Sequence, residues 1–191
     1  MSDAQNVVQH CIKIGLEYDP PKEILEYCGA YYSPYYNFAY AMMCAAGTYW
    51  PSVVAVELGV EKARCSFSML QYEKGIVIGL DTHPTVEASR LALREPRFIY
   101  LNQPSSQVPV NILEHKRISI LHIDTEHSYG MAKMEFEAYF PYLTNPAFVL
   151  FDDIHAMNDD VLKFVKELPY YKVIEDRLHP ICGYAVVAVE T

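Results

Sequence analysis

Residues 118–129 read Ile118-Ser119-Ile120-Leu121-His122-Ile123-Asp124-Thr125-Glu126-His127-Ser128-Tyr129, and the reading of this stretch decides the fold. Residues 118–125 form a nearly continuous apolar run that ends on acid, as expected of a strand buried on both faces of a parallel sheet. Ser128 is placed to cap a helix over residues 129–139, where Met131, Met134, Phe136 and Ala138 supply apolar surface before Pro141 stops it. A second run over residues 147–154 follows and carries Asp152-Asp153 near its end. Strand, helix, strand is the repeating unit of a parallel α/β sheet.

The same alternation extends in both directions. Residues 53–59, 75–82, 98–102, 171–177 and 184–189 are further β-rich runs, which makes seven strands with helices on both faces. Between the second and third, Pro84 suits a first helical turn, Glu87 complements the helix dipole, and Leu91 and Leu93 precede the stop at Pro96. Asn158 and Asp159 open a helix bearing Val161, Leu162, Phe164 and Val165, which Pro169 closes. Residues 1–50 differ in character: Tyr31, Tyr32, Tyr35, Tyr36, Tyr40, Tyr49 and Trp50 cluster around Ser33-Pro34, before any central-strand signal. This segment reads as a helical cap on a core of residues 51–191, within one domain spanning 1–191. Its aromatics either pack on the sheet or form a lid over a ring-bearing ligand.

The 191 residues are enough for one full-sized core, and about half of them are apolar. No run approaches the roughly 20 apolar residues of a membrane span, and the first residues lack a secretory pattern, so a cytoplasmic protein is expected. Five cysteines without a Cys-x-x-Cys pair suggest neither a disulfide framework nor a zinc knuckle. A formal charge of −9 opposes nucleic-acid binding and favours a small-molecule partner.

In an open parallel sheet, ligands bind beyond the carboxyl ends of the strands. Acidic and histidine side chains gather at those ends: Glu57 before Gly59, then Asp81, then Asp124 with Glu126 and His127, then Asp152, Asp153 and His155. A tight turn after the first strand, followed by an acid roughly 20 residues on, suits a nucleoside whose ribose hydroxyls the acid accepts. An ordinary turn is the other reading. Gly59-Val60-Glu61-Lys62-Ala63 is no dinucleotide fingerprint, because its single glycine and its glutamate would crowd and repel a pyrophosphate. Asp124, Asp152 and Asp153 converge if their strands are neighbours, and hard carboxylate oxygens suit Mg²⁺, Mn²⁺ or Ca²⁺. The alternative is one helix cap with solvated neighbours. His127, three residues past Asp124, has the side chain whose ordinary pKa suits proton abstraction near neutrality, and His155 is a weaker candidate of the same kind.

The 118–129 block, together with Phe140-Pro141-Tyr142-Leu143 and Val149-Leu150-Phe151-Asp152-Asp153-Ile154, resembles S-adenosylmethionine-dependent class I methyltransferases. Within them it is similar to the branch of macrocin O-methyltransferase and cephalosporin-hydroxylase-like proteins, whose signature is Ile-Asp-x-x-His-x-Tyr followed by an Asp-Asp pair closing the next strand. The likeness runs over residues 53–189. It implies a Rossmann-like, seven-stranded, mostly parallel sheet with the last strand antiparallel. It also implies Glu57 and Gly59 at the methionine end of the cofactor, Asp81 on its ribose, and Asp124 bordering cofactor and metal alike. Asp124, Asp152 and Asp153 would hold Mg²⁺, and the catalytic pair would be His127 and Asp124. The expected activity is a metal-assisted O-methyl transfer to a small sugar or phenolic hydroxyl. Two places depart from the family, which usually has glycine at Ala63 and a hydroxyl at Cys65, and a Gly-Gly turn where this chain reads Thr144-Asn145-Pro146-Ala147. A ligand-binding member without transfer activity is therefore the alternative, and a metal-dependent nucleotide or sugar enzyme is a third reading. The branch often assembles, so the aromatic cap is a candidate homo-oligomer interface as well as a candidate lid.

Overall fold

Alternation along the strands sends successive side chains to opposite faces, and each face has its own apolar core. In a computed structural model that describes residues 2–190, Val53 and Ala55 join one core while Val54, Val56 and Leu58 join the other. In chain order the elements are α1 (Asp3–Glu17), α2 (Lys22–Cys28), a 3-10 turn, α3 (Pro34–Tyr49), β1 (Val53–Leu58), α4 (Arg64–Leu70), β2 (Gly75–Asp81) and α5 (Val86–Arg94). They continue with β3 (Phe98–Asn102), α6 (Val110–Leu113), β4 (Ile118–Ile123), α7 (Tyr129–Tyr139), β5 (Leu143–Asp152), α8 (Ala156–Glu167), β6 (Tyr171–Ile174) and β7 (Tyr184–Val189).

The seven strands form one sheet in the order β3-β2-β1-β4-β5-β7-β6. β1 to β5 pair in parallel and β7 runs antiparallel to both β5 and β6, as the family resemblance implies. Strand order reverses between β1 and β4, which opens a crevice beyond their carboxyl ends. Every residue of β1, β4 and β7 is buried, in keeping with their near-continuous apolar runs.

The amino-terminal helices share the core of one sheet face, with Val8, Ile12, Phe38, Met42 and Met43 packed among Val53, Ala55, Ile120 and Val186. Ser2 and Gln5 close a capping box on α1, and the buried Asn37 amide donates to the Ile14 and Tyr18 carbonyls at its far end. Tyr35 and Tyr36 are buried in this core, whereas Tyr31 is 67% exposed. Packing therefore accounts for part of the tyrosine cluster, and Tyr35 also reaches the crevice.

Several boundaries differ from the sequence reading for local reasons. α5 starts after Thr85, whose hydroxyl accepts from the Ala88 N–H, so Pro84 precedes the cap instead of sitting in the first turn. Leu93 is 88% exposed because it lies two residues from Leu91, on the opposite side of a helix whose buried stripe is Ala88 and Leu91. α7 is capped by Ser128 as expected, but its buried stripe is Ala132, Glu135, Phe136 and Tyr139, with Met131 and Met134 at its margin. β5 begins at Leu143, because residues 144–147 bulge out of register between Ile118 and Ile120 of β4. α8 has left-handed backbone at Met157, Asn158 and Asp159, so its regular turns follow Asp159.

Candidate active site

Strand register aligns side chains that face one layer near the carboxyl ends of β1, β4 and β5. Glu57 of β1 is the register partner of His122 on β4, and Asp152 of β5 that of Tyr184 on β7. All four are buried beneath the amino-terminal helices. Glu57, 1% exposed, accepts a very short hydrogen bond from the Ser66 hydroxyl, and its other oxygen is 3.5 Å from His122 Nδ1. It does not line the crevice. The structure thus places Glu57 in the helix layer and not at the rim where a cofactor contact was expected, because a side chain inside the strand faces that layer. Cys65 belongs to the same buried cluster, and burial pushes its thiol up to about 12. Burial opposes protonation of His122, but the adjoining Cys65 and Glu57 outweigh it and hold the imidazole well above its ordinary value.

Past the end of β1, Gly59 has φ +84°, and a Cβ there would stand 1.7 Å from the Asp124 carbonyl oxygen. Only glycine permits this contact, which welds the turn after β1 to the loop after β4. The weld is completed by the Gly59 N–H donating to the Leu80 carbonyl at 2.9 Å and the Asp124 N–H donating to the Leu58 carbonyl at 2.9 Å. Asp81 braces the same turn: Oδ2 accepts from the N–H groups of Val60 (3.0 Å) and Glu61 (2.9 Å), and Oδ1 from that of His83 (2.7 Å). Of a carboxylate's roughly four acceptor positions, about one is left for a ligand hydroxyl.

Asp124 stands next to this turn. Withdrawal from water, then the charge of Asp152, holds its carboxyl well above the usual carboxylate range. His127 has a left-handed backbone, φ +59°, which turns its ring back so that Nε2 lies 3.9 Å from Asp124 Oδ1 and 3.5 Å from Asp153 Oδ2. Asp153 also has a left-handed backbone, φ +49°, and its N–H donates to Asp152 Oδ1 at 2.9 Å. His179, from the β6–β7 connection, places Nδ1 3.0 Å from Asp152 Oδ1 and 3.1 Å from Asp153 Oδ1. Asp152 and Asp153 raise the His179 imidazole to about 10, and His179 in turn draws the Asp153 carboxyl below its usual value against the opposing effect of burial.

These groups line one cleft of about 750 Å³, together with Tyr35, Gly59, Asp81 and the loop residues Ser105 and Ser106. Tyr35 packs against the His179 ring with centroids 5.4 Å apart. Gly59, Asp81, Asp124, His127, Asp152 and Asp153 are brought together here, and Glu57 is not. The three aspartates do not close into one ligand group. Among the described residues, donor atoms converge as Asp124 with His127 and Asp153, as Asp152 with Asp153 and His179, and as His122 with Asp124 and Asp152. Each pair of aspartates is joined by a histidine. His155 lies outside the cleft and clamps Asp159 (2.7 Å) to Asp176 (3.1 Å).

His179 escaped the sequence reading, whereas Tyr35 belongs to the aromatic cluster that offered either packing or a lid. His179 has no local motif; its only signal is topological, since an antiparallel β7 beside β5 carries the preceding connection to Asp152.

The sequence matches a family described as a methyltransferase domain over residues 56–154, more than half of the chain. The chain belongs to this family, and its sheet is that of the class I, S-adenosylmethionine-dependent methyltransferases. Similar solved structures include a protein described as a caffeoyl-CoA O-methyltransferase from Staphylococcus aureus, with TM-score 0.68, 15% identity, and coverage of 95% of this chain and 98% of that one. CalS11, a TDP-rhamnose 3'-O-methyltransferase of calicheamicin biosynthesis, has TM-score 0.61, 17% identity and coverage of 98% and 95%. MycE from the mycinamycin pathway, in complex with Mg and SAH, has TM-score 0.58, 14% identity and coverage of 90% and 55%. At such identities the likeness is one of fold. A search of curated proteins gives no match. Among the described residues, no helix is long and apolar enough to cross a membrane.

Proposed function

We propose that this chain is an O-methyltransferase that uses S-adenosylmethionine and a divalent cation to methylate a small hydroxylated molecule, a sugar or a phenol. The observation that carries the reading is the position of Asp124, which stands in one cleft between the Gly59–Asp81 turn and the His127–Asp153 cluster. The donor set fits both groups. An uncharged nucleoside suits a turn with Glu61 and Asp81 at its rim, where a pyrophosphate would be repelled. Asp81 retains room for about one more hydrogen bond, enough for a ribose hydroxyl. Asp124, Asp152 and Asp153 line the same cleft and, in pairs each joined by a histidine, offer carboxylate oxygens to a divalent ion.

When bound, S-adenosylmethionine supplies an electrophilic methyl on a sulfonium, and a divalent ion lowers the pKa of the acceptor hydroxyl. The side chains of the protein do the rest. The Gly59 turn and Asp81 hold the cofactor's nucleoside end, while the cleft fixes the acceptor for in-line attack. His127 Nε2, beside the cleft's carboxylates, would take the proton of an acceptor hydroxyl held there. Asp124 and Asp153 flank that imidazole and stabilise it once protonated.

Calorimetric titration with S-adenosylmethionine, with Mg²⁺ and then with a chelator, tests the reading without knowledge of the acceptor. Saturable cofactor binding plus a separate ion-binding event is the expected result. Absence of cofactor binding in both conditions overturns it. The ligand-binding alternative is favoured by the engagement of Asp81 with three backbone N–H groups and by the withdrawal of Glu57. Cofactor bound with no ion under any condition would support that alternative.

A further inference from the structure

Asp152 Oδ1, Asp153 Oδ1 and His179 Nδ1 approach at 3.0 and 3.1 Å, a separation that suits either a hydrogen bond or two ligands of one ion. Direction decides between them. Neither His179 Nδ1 nor Asp153 Oδ1, both shielded from solvent, has a hydrogen-bond partner of acceptable geometry, so the imidazole nitrogen aims at neither oxygen. Adjacent ligands of a six-coordinate ion with bonds of about 2.1 Å stand about 3.0 Å apart, which is the spacing found here. A second unpartnered imidazole lies beside this group and shares Asp152 with it. His122 is fully buried, neither ring nitrogen has a hydrogen-bond partner, and its ring converges with the Asp124 and Asp152 carboxylates from beneath.

We propose that His179 is an ion ligand, completing a set of two carboxylates and one imidazole with Asp152 and Asp153, and that this centre takes a six-coordinate first-row transition ion of the Mn²⁺ type in preference to Mg²⁺. The inference rests on the reading of Asp152 and Asp153 as ion ligands and adds the donor that sets ion identity. Imidazole nitrogen suits first-row transition ions, carboxylate oxygen suits Mg²⁺ and Mn²⁺ alike, and Mn²⁺ satisfies both donors in octahedral geometry. The arrangement also divides the work between the histidines. Asp153 turns Oδ1 to His179 and Oδ2 to His127, so His127 remains on the far side of the carboxylate, free to accept a proton.

The test is titration of the purified full chain with Mn²⁺ and, separately, Mg²⁺, followed by pulsed electron paramagnetic resonance of the Mn²⁺-loaded sample. Mn²⁺ is expected to bind at least tenfold more tightly than Mg²⁺, and its spectrum to show nitrogen modulation from a bound imidazole. The modulation should persist in His127→Ala and vanish in His179→Ala, whose Mn²⁺ affinity should fall tenfold or more. Failure of Mn²⁺ to bind, or a wild-type spectrum without nitrogen modulation, overturns the inference even if the variants do not fold. Tighter Mn²⁺ binding by His179→Ala also overturns it, and would make His179 a fixed imidazolium that competes with the ion. Titration of S-adenosylmethionine into the same samples reports on the methyltransferase reading separately. Bound cofactor with a nitrogen-free ion sinks only the role of His179; an imidazole-ligated ion without bound cofactor sinks only the methyltransferase reading.

Discussion

The two halves of the cleft are built on opposite principles. On the β1–β2 side, around Gly59 and Asp81, polar groups are mutually satisfied: three backbone N–H groups close on one carboxylate, and the glycine backbone packs directly on the Asp124 carbonyl. On the β4–β5–β7 side, carboxylates and imidazoles crowd together without hydrogen-bond direction. Left-handed backbone occurs in both halves, at Glu61 and Ala63 as at His127 and Asp153, so the contrast is one of polar satisfaction, and a satisfied turn gives a rigid wall. The first half is therefore rigid on its own, and the second leaves buried polar atoms without partners.

Gly59→Ala attacks the wall, and the largest effect is expected there. Its Cβ would overlap backbone that has no rotamer by which to yield, on top of a φ of +84° that alanine disfavours. A loss of about 4 kcal/mol or more in urea unfolding is expected, in the range reserved for severe core disruption. A loss below about 1 kcal/mol would show that the two halves do not touch through this residue. On the reactive side, His127→Ala should leave S-adenosylmethionine affinity unchanged and lower transfer of a labelled methyl to catechol or glycoside acceptors about 100-fold, the usual contribution of a general base. Equal loss of cofactor affinity would instead place His127 in the wall.

The Asp152–Asp153–His179 contact gives the reactive half a pH signature in chelator-treated protein. The folded-state pKa of His179 is raised from 6.5 to about 10, so its stabilisation is complete below pH 6.5 and is lost as pH rises through about 10. The pKa of Asp153 is lowered from 3.8, so its share is present above that value and is lost as pH falls through the folded value. His179→Gln should cost about 1 kcal/mol near pH 6, the scale of a partly exposed ion pair, and should converge with wild type above pH 10. Unfolding curves that stay parallel across this range would show that the contact does not titrate with folding.

The two halves were unequally legible in the sequence. Runs such as residues 53–59 and 118–125 disclose buried parallel strands because both faces are apolar, and Ser128 marks the start of α7 because its hydroxyl has a capping task. The rim residues Gly59, Asp81, Asp124, His127, Asp152 and Asp153 were readable because strand ends are where ligands bind. That Glu57 lies in the helix layer and not at the rim was not legible, because one register step separates the two positions. His179 was invisible because it meets Asp152 only through the antiparallel pairing of β5 with β7, a contact between distant segments that no local pattern encodes.

The smallest effect sharpens the account of the wall. Ala63 occupies the family's second glycine position and has left-handed backbone, φ +56°, with its methyl fully buried. Left-handed backbone costs alanine roughly 1–2 kcal/mol, which glycine would not incur. Against that relief stand about 0.8 kcal/mol for the buried methyl and roughly 0.5–1 kcal/mol for glycine's larger loss of freedom on folding. The opposing terms nearly cancel, so Ala63→Gly should shift unfolding free energy by less than about 1 kcal/mol in either direction. S-adenosylmethionine affinity should likewise change little, since the turn is already held in the required conformation by Gly59 and Asp81. A large gain in affinity would mean that the methyl obstructs the cofactor, and the wall would then be a narrowed site instead of a preformed one.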